Sequence, residues 1–370
     1  MTNKCVAVSR ACDMVIYCVE AENIGQVVAD CGPSTKKGAI VFGQTSVKTP
    51  EIKAFETSLP RDVHIVTGHS LHGPNVDPKG QILAVIRHRS TDEAYQRALA
   101  LLGLFGSNIV ELPDYQTHDR ITADTQAVTH VGFESMGTAW KNRGFNPWEN
   151  SAYMGGIDNV KILMMLRILG GKSHVYSGLA MLNPYAQEQV QQYARSVSEL
   201  FGMAIQGDEK GVRERIMKAR DDVFCNGSSL IHLDDTVMGD FSLGNQEGVQ
   251  TPNSHLSTLA MADAWCRRGI NPYNNLICQT PVYRLRLGIV EYLFNDGGLL
   301  DQSINTLLTD MNIRGDDLEF YSAVRQWADL VVRGDVAGYK RLFDETKAFF
   351  AERLPGAAKM SGEMIKRLTP

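Results

Sequence analysis

Two short motifs end strand-like runs with groups that could handle protons or polar ligands. GHSLHGP (68–74) closes the β-rich run HIVTGH (64–69), so His69 stands where open parallel sheets meet their ligands. An imidazole near its ordinary pKa can accept a proton at neutral pH, which makes His69 a candidate general base. On spacing alone a capping or core histidine is the favoured alternative, and His72 in the same loop is assigned no role. GQTSVK (43–48) also follows a strand-like run and offers a glycine, two hydroxyls and backbone amides heading into a helix, a setting for a polar ligand. Ser46 could equally cap the helix that starts near Pro50.

Two helical segments carry further candidates. HDRITADTQAVTH (118–130) reads as one helix in which Gln126 and His130, four residues apart, share a face that a single ligand could touch. A core histidine beside an amide fits as well. The run ILMMLRIL (162–169) is apolar apart from Arg167, which predicts a buried helix whose guanidinium needs an anion, from a protein carboxylate or a carboxylated substrate. A later, similar segment has Tyr292 at the matching position, and that asymmetry favours substrate binding.

The elements that must position these groups fall into two kinds. MVIYCV (14–19), AIVFGQ (39–44), HIVTGH (64–69), QILAVIRH (81–88) and NIVELP (108–113) read as strands separated by helical segments, the signature of a parallel sheet with crossover helices. From Tyr115 the pattern becomes helical, and THVGFESMGTAWKNRGFNPW (129–148) matches SHLSTLAMADAWCRRGINPY (254–273). His130 pairs with His255, Arg143-Gly144 with Arg268-Gly269, and farther on Gly207-Asp208 with Gly334-Asp335. The expected fold is an α/β, partial Rossmann-like domain over 1–114 followed by an all-α duplicated helical domain. Its copies span 115–235 and 253–354, with a linker over 236–252 and a C-terminal tail over 355–370.

Composition excludes several classes. A net charge of -5, with no basic run interleaved with aromatics, argues against nucleic-acid binding. No apolar stretch is long enough to cross a bilayer, and the start lacks the apolar core of a signal peptide, so a cytoplasmic protein without membrane partners is expected. The seven cysteines are scattered with no CxxC pair; they are expected to be buried or incidental thiols, and no metal site is expected.

Together these motifs resemble the prephenate dehydrogenases. GQTSVKTPEI, GHSLHGP, HDRITADTQAVTH, HVYSGLAMLNP, PNSHLS and YRLRLG are similar to the yeast-type, NADP-dependent branch over nearly the whole chain. The resemblance implies oxidative decarboxylation of prephenate to 4-hydroxyphenylpyruvate with hydride transfer to NADP, in tyrosine biosynthesis; arogenate is the alternative substrate. It implies His69 as catalytic base, with Ser46 near the reacting hydroxyl. Substrate would be bound by His130, Gln126, Arg167 and Tyr176, and the cofactor by Val19, Glu20, Gln44 and Thr45. Family members open with a GxGxxG loop upstream of the point where this chain starts, so a truncated chain is expected, with a catalytically silent binding or assembly module as the alternative. The two helical copies are expected to pack as a pseudo-dimer within one chain, with homo-oligomerisation left open.

Overall fold

The computed structural model describes residues 2–72, 76–224, 231, 233, 235–243, 251–275 and 281–368. The chain divides into two compact units, the first built from residues 1–125 with 178–186 and the second from 126–177, 187–276 and 281–370.

The first unit is a five-stranded sheet of β1 (Met14–Tyr17), β2 (Ile40–Gly43), β3 (His64–Ser70), β4 (Ile82–Arg89) and β5 (Asn108–Leu112), lying in that order across the sheet. Its helices are α1 (Thr2–Ala11), α2 (Ile24–Cys31), α3 (Lys48–Ser58), α4 (Asp92–Gly103) and α5 (Tyr115–Thr122). All four residues of β2 are buried, as a strand covered on both faces requires. One face packs Val15, Tyr17, Val41 and Ile65 against Ile24 and Val28 of α2 and Phe55 of α3. The other packs Ile40, Phe42, Val66 and Val85 against Tyr95, Ala98 and Leu102 of α4.

The sheet departs from the all-parallel expectation at one place. β3 and β4 pair antiparallel, whereas β1–β2, β2–β3 and β4–β5 are parallel. The connection over 71–81 is too short for a crossover, so β4 must turn back on β3. A second departure concerns the cysteines. Cys5 and Cys31 form a disulfide that ties α1 to α2, so these two are not incidental thiols; their Cα atoms lie 5.7 Å apart, within bridging reach. Cys12, Cys18 and Cys266 are free, and Cys225 and Cys278 lie outside the described residues.

Beneath the strand ends sits a buried ion pair. Lys48 and Glu51 are fully buried, 3.0 Å apart, in the first turn of α3. The Lys48 ammonium also donates to the Gly43 carbonyl at 3.3 Å and to the Thr67 hydroxyl at 3.1 Å, and bonds the Gly68 carbonyl. Glu51 accepts from the Thr45 amide at 3.0 Å and its hydroxyl at 2.7 Å. The approach is close enough to demand glycine: a Cβ on Gly43 would lie 2.1 Å from the Glu51 carboxylate, and one on Gly68 2.4 Å from the Ala84 carbonyl.

From residue 123 the chain is helical. A π-helical turn (Ala123–Val128) leads into α6 (Thr129–Arg143), then α7 (Gly156–Leu169), α8 (Ser173–Met181), α9 (Ala186–Gln206), α10 (Glu209–Phe224) and α11 (Asp235–Asp240). There follow α12 (Leu256–Arg268), α13 (Pro281–Asn295), α14 (Gly297–Thr309), α15 (Met311–Arg333), α16 (Val336–Phe349) and α17 (Leu354–Leu368). The segment expected as a tail is α17, which packs on α7; Ala357, Ser361 and Met364 recur at helical spacing and are buried. Within the expected linker, 238–240 belong to α11, and 244–250 lie outside the described residues.

The repeat reappears as matched local geometry. α6 and α12 both end on left-handed glycines, Gly144 and Gly269. The α9–α10 and α15–α16 turns pass through left-handed Gly207 and Gly334, and Asp208 and Asp335 then accept from the amides of Gly211 at 2.9 Å and Gly338 at 2.8 Å.

Replacing Lys48 with Met is expected to destabilise the protein by about 3–5 kcal/mol, because it leaves the buried Glu51 charge unpaired. Urea unfolding followed by fluorescence measures this, and a loss below about 1 kcal/mol would show that the pair does not hold the strand ends.

Candidate active site

His69 is buried at the carboxyl end of β3, and its Nδ1 lies 3.0 Å from Nε2 of His118 on α5. His118 Nδ1 lies 2.9 Å from the Asp119 carboxylate. Asp119 also accepts from the Lys48 amide at 2.8 Å and from the Thr49 amide and hydroxyl, each at 2.7 Å. It therefore caps α3, at the positive end of the helix dipole. Burial pushes the Asp119 carboxyl up, but the hydrogen bonds from His118, Lys48 and Thr49 outweigh it and hold the pKa below the usual value.

These bonds set the tautomers. An ionised Asp119 accepts a hydrogen bond from His118 Nδ1–H, so neutral His118 presents its Nε2 lone pair to His69 Nδ1–H. The His69 proton is thereby held on Nδ1, and Nε2 is left as a free base. Burial first, then the neighbouring His118 and Lys48, holds the His69 pKa well below 6.5, so the ring is neutral at physiological pH. Sequence analysis missed His118 and Asp119, although they open the HDRITADTQAVTH motif; their proximity to His69 depends on where α5 docks.

Ser46 lies half-buried in the bend between β2 and α3. Asp119, not Ser46, supplies the side-chain cap of α3, which leaves the serine hydroxyl uncommitted. Gln44 is held through its carbonyl oxygen by the amide and hydroxyl of Ser70, both at 3.1 Å. Its amide NH2 makes no hydrogen bond among the described residues. Val19 and Glu20 follow β1 at that edge, half-buried and exposed respectively. Thr45 is spent internally, because its amide and hydroxyl both donate to Glu51.

The second unit gathers the remaining candidates. Gln126 lies in the π-helical turn, not in the continuous α-helix that was expected, and such turns recur at functional sites. Gln126 Oε1 and His130 Nδ1 are buried without a protein partner among the described residues. His130 meets Tyr176 edge-on with centroids 4.7 Å apart, and Tyr176 stacks on Phe343 at 5.2 Å. Burial, with the Arg286 guanidinium, pushes the His130 pKa down to about 3.

Arg167 differs from expectation. Every other residue of α7 except Gly156 is buried, but Arg167 is exposed, so it bears no desolvation penalty. Its one side-chain hydrogen bond among the described residues is to Ser361 at 3.4 Å, Tyr176 lies within its electrostatic reach, and no carboxylate meets it there. The guanidinium is therefore available to an external anion. Glu134, also missed, sits one turn after His130; burial raises its pKa to about 8, so it is protonated at neutral pH, and it accepts from Tyr339 at 2.7 Å.

Two family models match the chain. Residues 1–82 match the nucleotide-binding domain of prephenate dehydrogenase, and residues 127–370 match a 6-phosphogluconate dehydrogenase C-terminal domain. The chain is 47% identical over 367 residues to the probable prephenate dehydrogenase [NADP(+)] of Schizosaccharomyces pombe, covering 98% of this chain and 85% of that one. This chain belongs to the prephenate dehydrogenase family. The Saccharomyces cerevisiae prephenate dehydrogenase [NADP(+)] is 45% identical over 98% of this chain and 82% of its own. A looser likeness, at a TM-score of 0.45 and 14% identity, is to the crystal structure of prephenate dehydrogenase from A. aeolicus in complex with hydroxyphenyl propionate and NAD+, over 58% of this chain and 76% of that one.

The relay predicts a spectroscopic signature. In 15N-resolved NMR at pH 7, His69 should carry its proton on Nδ1 and should stay neutral as the pH falls through 6.5. An Nε2–H tautomer, or titration near 6.5, would contradict the proton order derived from Asp119.

Proposed function

We propose that this chain catalyses the oxidative decarboxylation of prephenate to 4-hydroxyphenylpyruvate, with NADP+ as hydride acceptor, a step of tyrosine biosynthesis carried out in the cytoplasm. The observation that carries the reading is the Asp119–His118–His69 relay, which leaves one basic nitrogen at a strand end. His69 Nε2 takes the proton from the ring hydroxyl as that carbon is oxidised, and loss of CO2 leaves an aromatic ring. The protein's tasks are then to align the hydroxyl, remove its proton and hold two carboxylates. Ser46 orients the hydroxyl. Arg167 binds a carboxylate as a planar donor pair, with His130, Gln126 and Tyr176 shaping the rest of the substrate site.

For the cofactor, the residues present fit the nicotinamide half. Gln44 offers an unspent NH2 suited to a carboxamide or ribose oxygen, and Val19 and Glu20 stand at the neighbouring strand end, where open α/β sheets take nucleotides. Bound NADP+ would supply the two-electron acceptor. Thr45 serves by keeping the Gln44 turn in place through Glu51.

We also infer that the two helical copies act as an internal pseudo-dimer. α6 packs on α15 and α16 while α12 packs on α10, and α7 packs on α13, its counterpart. Arg143 pairs with Asp316 at 2.8 Å, and Arg268 pairs with Glu188, so each copy's repeat arginine reaches the other copy.

Formation of NADPH from prephenate, followed by absorbance, tests the activity. Arg167→Ala should raise KM for prephenate by about tenfold or more and leave the Kd for NADP+ unchanged; equal effects on both would remove Arg167 from the substrate site. Asp119→Asn should lower kcat by about 10²-fold or more by disordering the tautomer relay, and unchanged kcat would rule the relay out. Because the His69 pKa is depressed, its basic form persists as pH falls, so the acid limb of kcat/KM should lie below 6.5.

A further inference from the structure

The helical duplication leaves a histidine, His255, at the position matching His130, but its surroundings differ. Among the described residues His255 is the only non-glycine with a left-handed backbone, at φ 50°. Its buried imidazole accepts at Nδ1 from Lys161 at 2.7 Å, and Lys161 donates also to Asp158 at 3.1 Å. This group lines a cavity of about 40 Å³ within the second unit, room for about three waters or a group of that size.

Among the described residues, one buried side-chain polar atom that lines the cavity has no partner. Asp316 accepts from Arg143 at 2.8 Å and from the Tyr153 hydroxyl at 2.9 Å. Asp158 accepts from Lys161 and, at 3.5 Å, from Asn253. Asp317 accepts from Ser254 at 2.7 Å through Oδ1, but its Oδ2 is buried with no partner, and the residue is only 6% exposed. A buried carboxylate oxygen without a donor is costly, and burial pushes the Asp317 carboxyl up to about 7. Three carboxylates, Asp158, Asp316 and Asp317, stand among the cations Lys161 and Arg143, with Arg314 acting on Asp317 from beyond the cavity wall. Its other walls include Trp140, Tyr153 and Phe320, whose ring faces attract cations.

We propose that this cavity binds a small protonated amine, with the ammonium group donating to Asp317 Oδ2 beside the aromatic walls. The unpartnered carboxylate oxygen disfavours an anion, and the small volume admits only a compact head group.

The test is thermal unfolding of the full chain with methylammonium chloride, against potassium chloride at equal ionic strength. A saturable rise in Tm is expected for methylammonium, about 2–3 °C at ten times the midpoint concentration, and none for potassium. Asp317→Asn, which keeps the shape and can still bond Ser254, should abolish the rise. Phe320→Leu, which keeps the carboxylate, should weaken binding several-fold and covers the case in which Asp317→Asn does not fold. No saturation with methylammonium, an equal rise with potassium, or an undiminished rise in either folded variant would overturn the proposal. None of these outcomes depends on dehydrogenase activity.

Discussion

The buried Lys48–Glu51 pair is the constraint on which the His69 end of the first unit rests. Two charges removed from water are unfavourable unless their remaining donors and acceptors are filled, and here the backbone of two strand ends fills them. The ammonium binds the carbonyls that end β2 and nearly end β3, while the carboxylate holds the turn after β2. Strand ends that would otherwise fray are thereby fixed in depth and register. His69, the residue after Gly68, inherits that rigidity. Asp119 adds the second clamp by holding the amides that open α3 and ordering His118 at once.

One consequence is that the His69 tautomer is set by helix capping. The carboxylate that satisfies the orphan amides of α3 also decides which nitrogen of His118 carries a proton, and through it which nitrogen of His69 is free. Structural and chemical roles are thus combined in one side chain. Burial adds the remaining condition, because a neutral imidazole is the form a desolvated site favours.

In the second unit, duplication produced partners that are similar in backbone and different in chemistry. Each copy's histidine faces a cation from the other copy: Lys161 bonds His255, and the Arg286 guanidinium acts on His130. The glycine caps and aspartate turns are kept in both, since they serve helix termination, which both copies need alike. Arg167 and Tyr292 differ, as residues released from a shared structural task can.

The sequence by itself determined the elements and the family. Alternating apolar runs marked five strands within one or two residues, the internal match marked the repeat, and the motifs around His69 and His130 carried the resemblance. Local pattern suffices there because strand burial and helix termination depend on neighbours in the chain. Other features rested on docking between distant segments. HDRITADTQAVTH shows two acid–base groups at its start, but only the packing of α5 on α3 brings His118 to His69 and makes Asp119 a cap. Hydropathy averaged along α7 predicted a buried Arg167, and only the packed bundle decides that this one position faces outward. The antiparallel β4, the packed α17 and the Cys5–Cys31 bridge likewise depend on which surfaces meet, a property of the folded chain that residue order constrains but does not display.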